Sequence, residues 1–178
     1  MKNIVYMVAS LLLCLMTVSC SKEDIGGTAT EKVAGQWYVS VDGVDENNEV
    51  IPGFEDFFYD GRKMLLTYNT ADNNPNEMIV DDLENIWEFK VKVIVDQQAK
   101  TFQTTTTEDN NLVEGYQDIN VSITGGKILP KAGRQNNGSP ADSIVFYVNF
   151  SDDPYPANYG HTRYKVSGVR YSGLAEND

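Results

Sequence analysis

The sequence holds a single histidine, His161, in the stretch YGHTRY. A Ser-His-Asp hydrolytic triad would have to use it. No glycine-flanked serine elbow accompanies it, and NGSPAD reads as a loop rather than a strand–turn–helix. His161 is therefore expected at an exposed strand end and outside catalysis. A lone histidine also cannot build a histidine-rich zinc site. Adjacent acid pairs occur at Asp81-Asp82, Glu108-Asp109 and Asp152-Asp153. Two carboxylates can hydrolyse a glycosidic bond, but no spacing singles out a pair, so all three read as solvated loop acids. The oxygen-rich stretches DGVDENNE and ADNNPNE offer hard ligands of the kind calcium takes, without the spacing of an EF-hand. No catalytic residue, metal ligand or cofactor is expected.

The cysteines point to location instead. Both, Cys14 and Cys20, lie in the first twenty residues. The rest of the chain then has no disulfide, cysteine metal site or cysteine nucleophile. Around them, MKNIVYMVASLLLCLMTVSC starts with a lysine and continues as an apolar run from Ile4 to Val18. That is the layout of a secretory signal, and the run is short for a membrane span. Its end, Thr17-Val18-Ser19-Cys20, resembles a bacterial lipoprotein signal, in which a Leu-Ala-Gly-like triplet precedes a cysteine that becomes acylated. Val18 and Ser19 suit the pattern, Thr17 stands where leucine is usual, and Leu13 is too bulky to precede a cut at Cys14. The resemblance implies a signal peptide over 1–19, lipidation of Cys20 with palmitate-type chains, and a flexible tether over 20–32. Each buried methylene contributes about 0.8 kcal/mol, so two or three chains anchor far more firmly than one. The following Lys22-Glu23-Asp24 is similar to the export signal of Bacteroidetes lipoproteins, which implies outer-membrane attachment and an outward orientation. Asp142-Ser143-Ile144 resembles the O-glycosylation acceptor used in the same bacteria, with Ser143 as the modified residue.

Composition bounds the partners. The 178 residues suit one domain, expected over 33–178, and 41% are hydrophobic, enough for a core. With 26 acidic and 14 basic side chains the net charge is −12. Such a surface repels phosphates and excludes nucleic acid as a partner, while serving solubility. It names no protein partner.

The elements that must position any site read as strands. In WEFKVKVIV, Trp87, Phe89, Val91, Val93 and Val95 fall on one face and Glu88, Lys90, Lys92 and Ile94 on the other. Period two argues a half-buried strand, with DQQAK as a hairpin turn and TFQTTTT as the return. GQWYVSVDG, KMLLTYN, DINVSITGGKIL, DSIVFYVNF and YKVSGVRYSG are further strands, bounded by Asn-, Asp-, Gly- and Pro-rich turns. One helical turn is expected at VDDLENI, whose acid-rich start suits a helix N-terminus. The fold class is all-β, with two architectures open: an antiparallel up-and-down barrel of about eight strands or a β-sandwich.

The opening VAGQWYVSV favours the barrel. Its Gly35-X-Trp37 resembles lipocalin-type barrels, where the tryptophan closes the floor. In those barrels an arginine near the last strand covers the ring, a role that falls to Arg170, with Arg163 second. With the lipoprotein signal and the closing VSGVRYSGLAEND, the chain resembles the family called lipid-binding putative hydrolases, lipocalin-like lipoproteins of Bacteroidetes. The resemblance spans about residues 31–178 and transfers a fold better than a function.

Ten tyrosines and two tryptophans are many for this length. Trp37 and Trp87 read as core, Tyr147 and Tyr171 as outward-facing. Tyr155 and Tyr159, in DDPYPANYGH, are the candidates for stacking on a ligand. The functional expectation is a membrane-anchored barrel whose mouth binds a small apolar or amphipathic, lipid-like ligand. The alternatives are a surface accessory protein for glycan capture or envelope assembly, and a hydrolase of unknown substrate.

Overall fold

The computed structural model describes residues 27–105, 110–174 and 177. The signal segment, Cys20, Lys22-Glu23-Asp24, the Glu108-Asp109 pair and the end of TFQTTTT lie outside the described residues. Eight antiparallel strands run in chain order around a closed barrel. They are β1 (Gly35–Val44), β2 (Lys63–Asn69), β3 (Glu77–Asp81), β4 (Lys90–Asp96), β5 (Thr101–Gln103), β6 (Val121–Arg134), β7 (Pro140–Phe150) and β8 (Arg163–Arg170). β8 pairs back onto β1, from Arg170 opposite Trp37 to Arg163 opposite Val44, so the sheet has no free edge there. One short helix, α1 (Tyr155–Tyr159), lies in the β7–β8 connection.

Alternation puts Val39 and Val41 of β1, Val91 and Val93 of β4, and Ile144, Phe146 and Val148 of β7 inside the barrel. With Trp37, Leu65, Met78, Ile123, Tyr164 and Val166 they pack into one continuous core. Full burial of such a side chain contributes about 1.5–3 kcal/mol. Outward positions carry Lys90, Lys92, Lys127 and Lys165. Apolar inside and charged outside is the reverse of a membrane-spanning barrel.

Up-and-down connectivity sorts the loops to two ends. At the base, Trp37 is fully buried, and its Nε1 donates to Thr67 Oγ1 at 2.9 Å. Thr67 in turn donates to the Val33 carbonyl. The Arg170 guanidinium lies 4.4 Å from the Trp37 ring centroid and donates to the Ala34 carbonyl at 2.6 Å. Gly35 is required beneath it: a Cβ there would collide with Arg170 Nη1. Residues 27–32, read above as part of the tether, turn under this base. Thr30 is buried, and the Ala29 N–H donates to Asn73 Oδ1.

Three readings need correcting. VDDLENI forms no helix. Val80 and Asp81 belong to β3, and the rest is a loop with Leu83 and Glu84 at positive φ. The cause is Asp82, whose carboxylate accepts the backbone N–H groups of Glu84, Ile86, Trp87 and Phe89 at 2.8–2.9 Å. A side chain that gathers backbone donors in this way competes with the helix for them. Second, β4 starts at Lys90, so Trp87 leaves the strand face and stands half-buried at the barrel end rather than in the core. Third, Asp81 and Asp82 are buried rather than solvated loop acids. β3 itself has no counterpart among the expected strands, although it holds Met78, Ile79 and Val80. All three side chains are buried, so the strand carries no alternation to read.

Candidate functional site

Three of the connections at the end of the barrel opposite Trp37 bring aromatic residues over it, and each is held by its own local chemistry. The β1–β2 connection folds back on its strand: Gly43 N–H donates to the Phe54 carbonyl at 2.9 Å, and Phe57 N–H to the Val41 carbonyl at 2.7 Å. Gly43 lets this happen, because a Cβ would sit 3.1 Å from the Phe54 side chain. In the β7–β8 connection, Asp153 Oδ1 accepts the Tyr155 N–H at 2.8 Å and starts α1. Gly160, at φ 83°, ends the helix by donating to the Pro156 carbonyl. The chain then re-enters the barrel through His161. In the β3–β4 connection, the Asp82 loop projects Trp87, which stacks on Phe150 at 5.2 Å and donates from Nε1 to Asp152 Oδ1 at 2.9 Å.

These loops bring rings together from distant parts of the chain. Phe57 is central, with ring centroids 5.2 Å from Phe58, 5.5 Å from Phe54, 5.8 Å from Tyr155 and 6.1 Å from Tyr159. Phe54, Phe57, Phe58, Tyr59, Tyr155 and Tyr159 line an open apolar cleft of about 340 Å³. That is at the lower end of the range for ligand sites, about 300–1,000 Å³. Tyr59 and Tyr159 are exposed rings at its lip. A wider groove of about 550 Å³ lies on the flank at β4–β6, where the three-residue β5 leaves the sheet thin. Its lining mixes Ile94, Val95 and Phe102 with Asn76, Asp96, Thr101, Gln103 and Lys127, and Phe102 is its one aromatic ring, against six in the cleft.

Beneath the rings lies a polar cluster. His161 is 2% exposed, not at an exposed strand end as the sequence suggested. Its ring lies 4.8 Å from Phe57 and 4.8 Å from Tyr164. The reason is tertiary: the loop carrying Phe54 and Phe57 folds over it. Burial holds the His161 pKa below its ordinary value, opposed in part by the charge of Asp153. Neither ring nitrogen has a hydrogen-bond partner. Among the described residues, neither a nucleophile nor an acid is hydrogen-bonded to the ring. Burial and the nearby Asp153 carboxylate push the Tyr164 hydroxyl pKa well up. The two groups interact electrostatically, but their geometry falls short of a formed hydrogen bond.

The other sequence candidates fall elsewhere. Gly35, Trp37 and Arg170 meet at the base, and Arg163 instead covers Tyr147 on the outside, 5.3 Å from its ring centroid. Tyr171 packs edge-on against Tyr38 at 5.1 Å. Ser143 is half-buried on β7, paired with Leu129 and Val169. Tyr155 and Tyr159 are in the cleft. Phe54, Phe57 and Phe58 were missed. The signal available was the aromatic density of GFEDFFYD, set in a segment too rich in turn residues to read as a strand. Among the described residues, no group of three His, Cys, Asp or Glu side chains is placed to hold a metal ion.

A family model described as lipid-binding putative hydrolase matches residues 22–175. A search of curated proteins gave no match.

Proposed function

From a chain that belongs to the lipid-binding putative hydrolase family and closes into an eight-stranded barrel, we propose a lipid-anchored outer-membrane protein that captures a small amphipathic, lipid-like ligand. The ligand's apolar part lies in the cleft between Phe54, Phe57, Phe58, Tyr155 and Tyr159. The observation that carries this reading is the position of that cleft. The barrel interior is occupied by a continuous core around Trp37, Phe146 and Tyr164, and the aromatic surface open to a ligand is concentrated at the mouth. Small barrels either fill their interior with side chains or hold a ligand there. This one fills it and moves the site to the loops.

Anchoring is proposed through acyl chains on Cys20, after removal of residues 1–19. Residues 27–34 run under the base, at the opposite end from the aromatic cleft. A tether leaving from the base leaves the mouth facing away from the membrane, where a ligand can reach it. Lys22-Glu23-Asp24 supports the outer membrane as the address, facing outward.

Two measurements test the two halves. Titration of the protein with decyl-chain amphiphiles, followed by tryptophan fluorescence, should show saturable binding, because Trp87 stacks within the same ring cluster. Metabolic labelling with palmitate should mark the wild-type chain and not Cys20→Ala. Label retained in the variant removes the anchor proposal, and an unchanged fluorescence spectrum removes the ligand proposal.

A further inference from the structure

We propose that Asp153, His161 and Tyr164 form a headgroup subsite under the aromatic cleft, and that it recognises the neutral hydroxyl of an amphiphile, as in a long-chain alcohol or a monoacylglycerol, in preference to a carboxylate or an ammonium. This rests on the amphiphile-binding reading above. It adds which end of the ligand enters first and what that end must carry.

Three polar groups converge there, and four of their buried atoms lack a formed hydrogen bond among the described residues, although Asp153 and Tyr164 lie close enough to interact. His161 is 2% exposed and Tyr164 is fully buried. The two His161 nitrogens, the Tyr164 hydroxyl and Asp153 Oδ2 are all buried and make no hydrogen bond. Asp153 commits its other oxygen to the Tyr155 N–H, which aims Oδ2 inward. Buried polar groups in native proteins almost always find partners, so a cluster of them beside an apolar cleft marks a place that a ligand completes.

The inventory of donors and acceptors selects the ligand. A neutral imidazole offers one N–H and one acceptor nitrogen, the tyrosine offers an O–H, and the ionised aspartate only accepts. An alcohol oxygen accepts from His161 and Tyr164 while its proton goes to Asp153 Oδ2. A carboxylate has no proton to donate and would place a second negative charge beside Asp153 in a water-poor site. An ammonium could donate to Asp153, but it has no lone pair and so could accept neither the Tyr164 O–H nor the imidazole N–H. Burial keeps His161 neutral, which removes the cation that would otherwise draw in a carboxylate.

Phe57 separates the two compartments. It lines the cleft and packs against both His161 and Tyr164. Its backbone N–H donates to the Val41 carbonyl, so in this proposal the headgroup passes by displacement of the Phe57 side chain.

The test compares decanol, decanoate and decylamine at pH 8 on the full chain carrying Cys20→Ser, which removes an attached acyl group as a competitor. Tryptophan fluorescence reads affinity. The imidazole resonance reads contact with the headgroup, and it is a single signal because the chain has one histidine. Decanol should bind about tenfold more tightly than decanoate and shift the imidazole signal. His161→Phe, and Tyr164→Phe, which removes only a hydroxyl, should each bring decanol to within about twofold of decanoate. Equal or tighter binding of decanoate or decylamine, or an imidazole signal unmoved at saturating decanol, overturns the subsite and leaves the cleft standing. Failure of all three to bind overturns the cleft as well.

Discussion

Arg170 of the last strand covers Trp37 of the first, with the guanidinium carbon 4.4 Å from the ring centroid. The same guanidinium donates to the Ala34 carbonyl and lies 3.4 Å from Asp142. It thus ties the chain entering the barrel to two strands that leave it, at the seam where β8 closes on β1.

Truncating that side chain should cost stability without touching the mouth. Arg170→Ala is expected to lower the unfolding free energy by about 1–3 kcal/mol, from the lost cation–π contact and the unpaired Ala34 carbonyl. Arg170→Lys should recover less than half of it, since an ammonium lacks the planar fork. Urea denaturation measures both, and amphiphile affinity should be unchanged in either variant.

Asp82 organises the loop that presents Trp87. Its buried carboxylate gathers four backbone donors. Asp82→Ala should destabilise the protein by about 3–5 kcal/mol, a value reserved for loss of a buried network. Asp82→Asn, with one acceptor oxygen left, should fall between. A red-shifted tryptophan emission in the native baseline of Asp82→Asn would show that Trp87 has come off Phe150. An unshifted spectrum with wild-type stability would count against the capping role.

His161 sets a pH dependence with a defined sign. Its folded pKa lies below the ordinary 6.5 because burial disfavours the cation. Above that value the ring is neutral in both states and has no effect. As pH falls from 6.5 through the depressed folded pKa, the unfolded chain takes the proton first and the fold loses stability; below both values the loss levels off. Urea midpoints measured from pH 8 to pH 5 should therefore fall more steeply for the wild type than for His161→Phe. Parallel slopes would place the histidine in contact with water.

The two tyrosines of α1 should separate binding from folding. Tyr159 is 57% exposed at the cleft lip, so Tyr159→Ala should change stability by no more than about 0.5 kcal/mol. It should nevertheless weaken amphiphile binding several-fold. Tyr155 is half-buried and touches Phe57, Trp87 and Tyr159, so Tyr155→Ala should lower both quantities. Calorimetric melts beside fluorescence titrations check the pair; full affinity in Tyr159→Ala would move the ligand away from the lip.

Much of the barrel is legible locally. KMLLTYN occupies β2 residue for residue, and Trp37, Val39 and Val41 of QWYVSV and Ile144, Phe146, Val148 and Phe150 of SIVFYVNF point inward as period two requires. Alternation survives there because one face meets the core and the other meets water. It fails in β3, where Ile79 and Asp81 are covered on the outer face as well.

The amino-acid sequence by itself determined the all-β class and the faces of the alternating strands, because period two and residue type act over a few neighbouring positions. Whether those strands closed on themselves, whether the interior was full, and where His161 lay were decided only by the tertiary structure. The ring of His161 is buried by Phe54 and Phe57, which belong to a connection at the other end of the chain. A histidine between Gly160 and Thr162 carries no local sign of such a roof. Burial is a property of what folds over a residue, and here that comes from contacts between distant loops that share only the same end of the barrel.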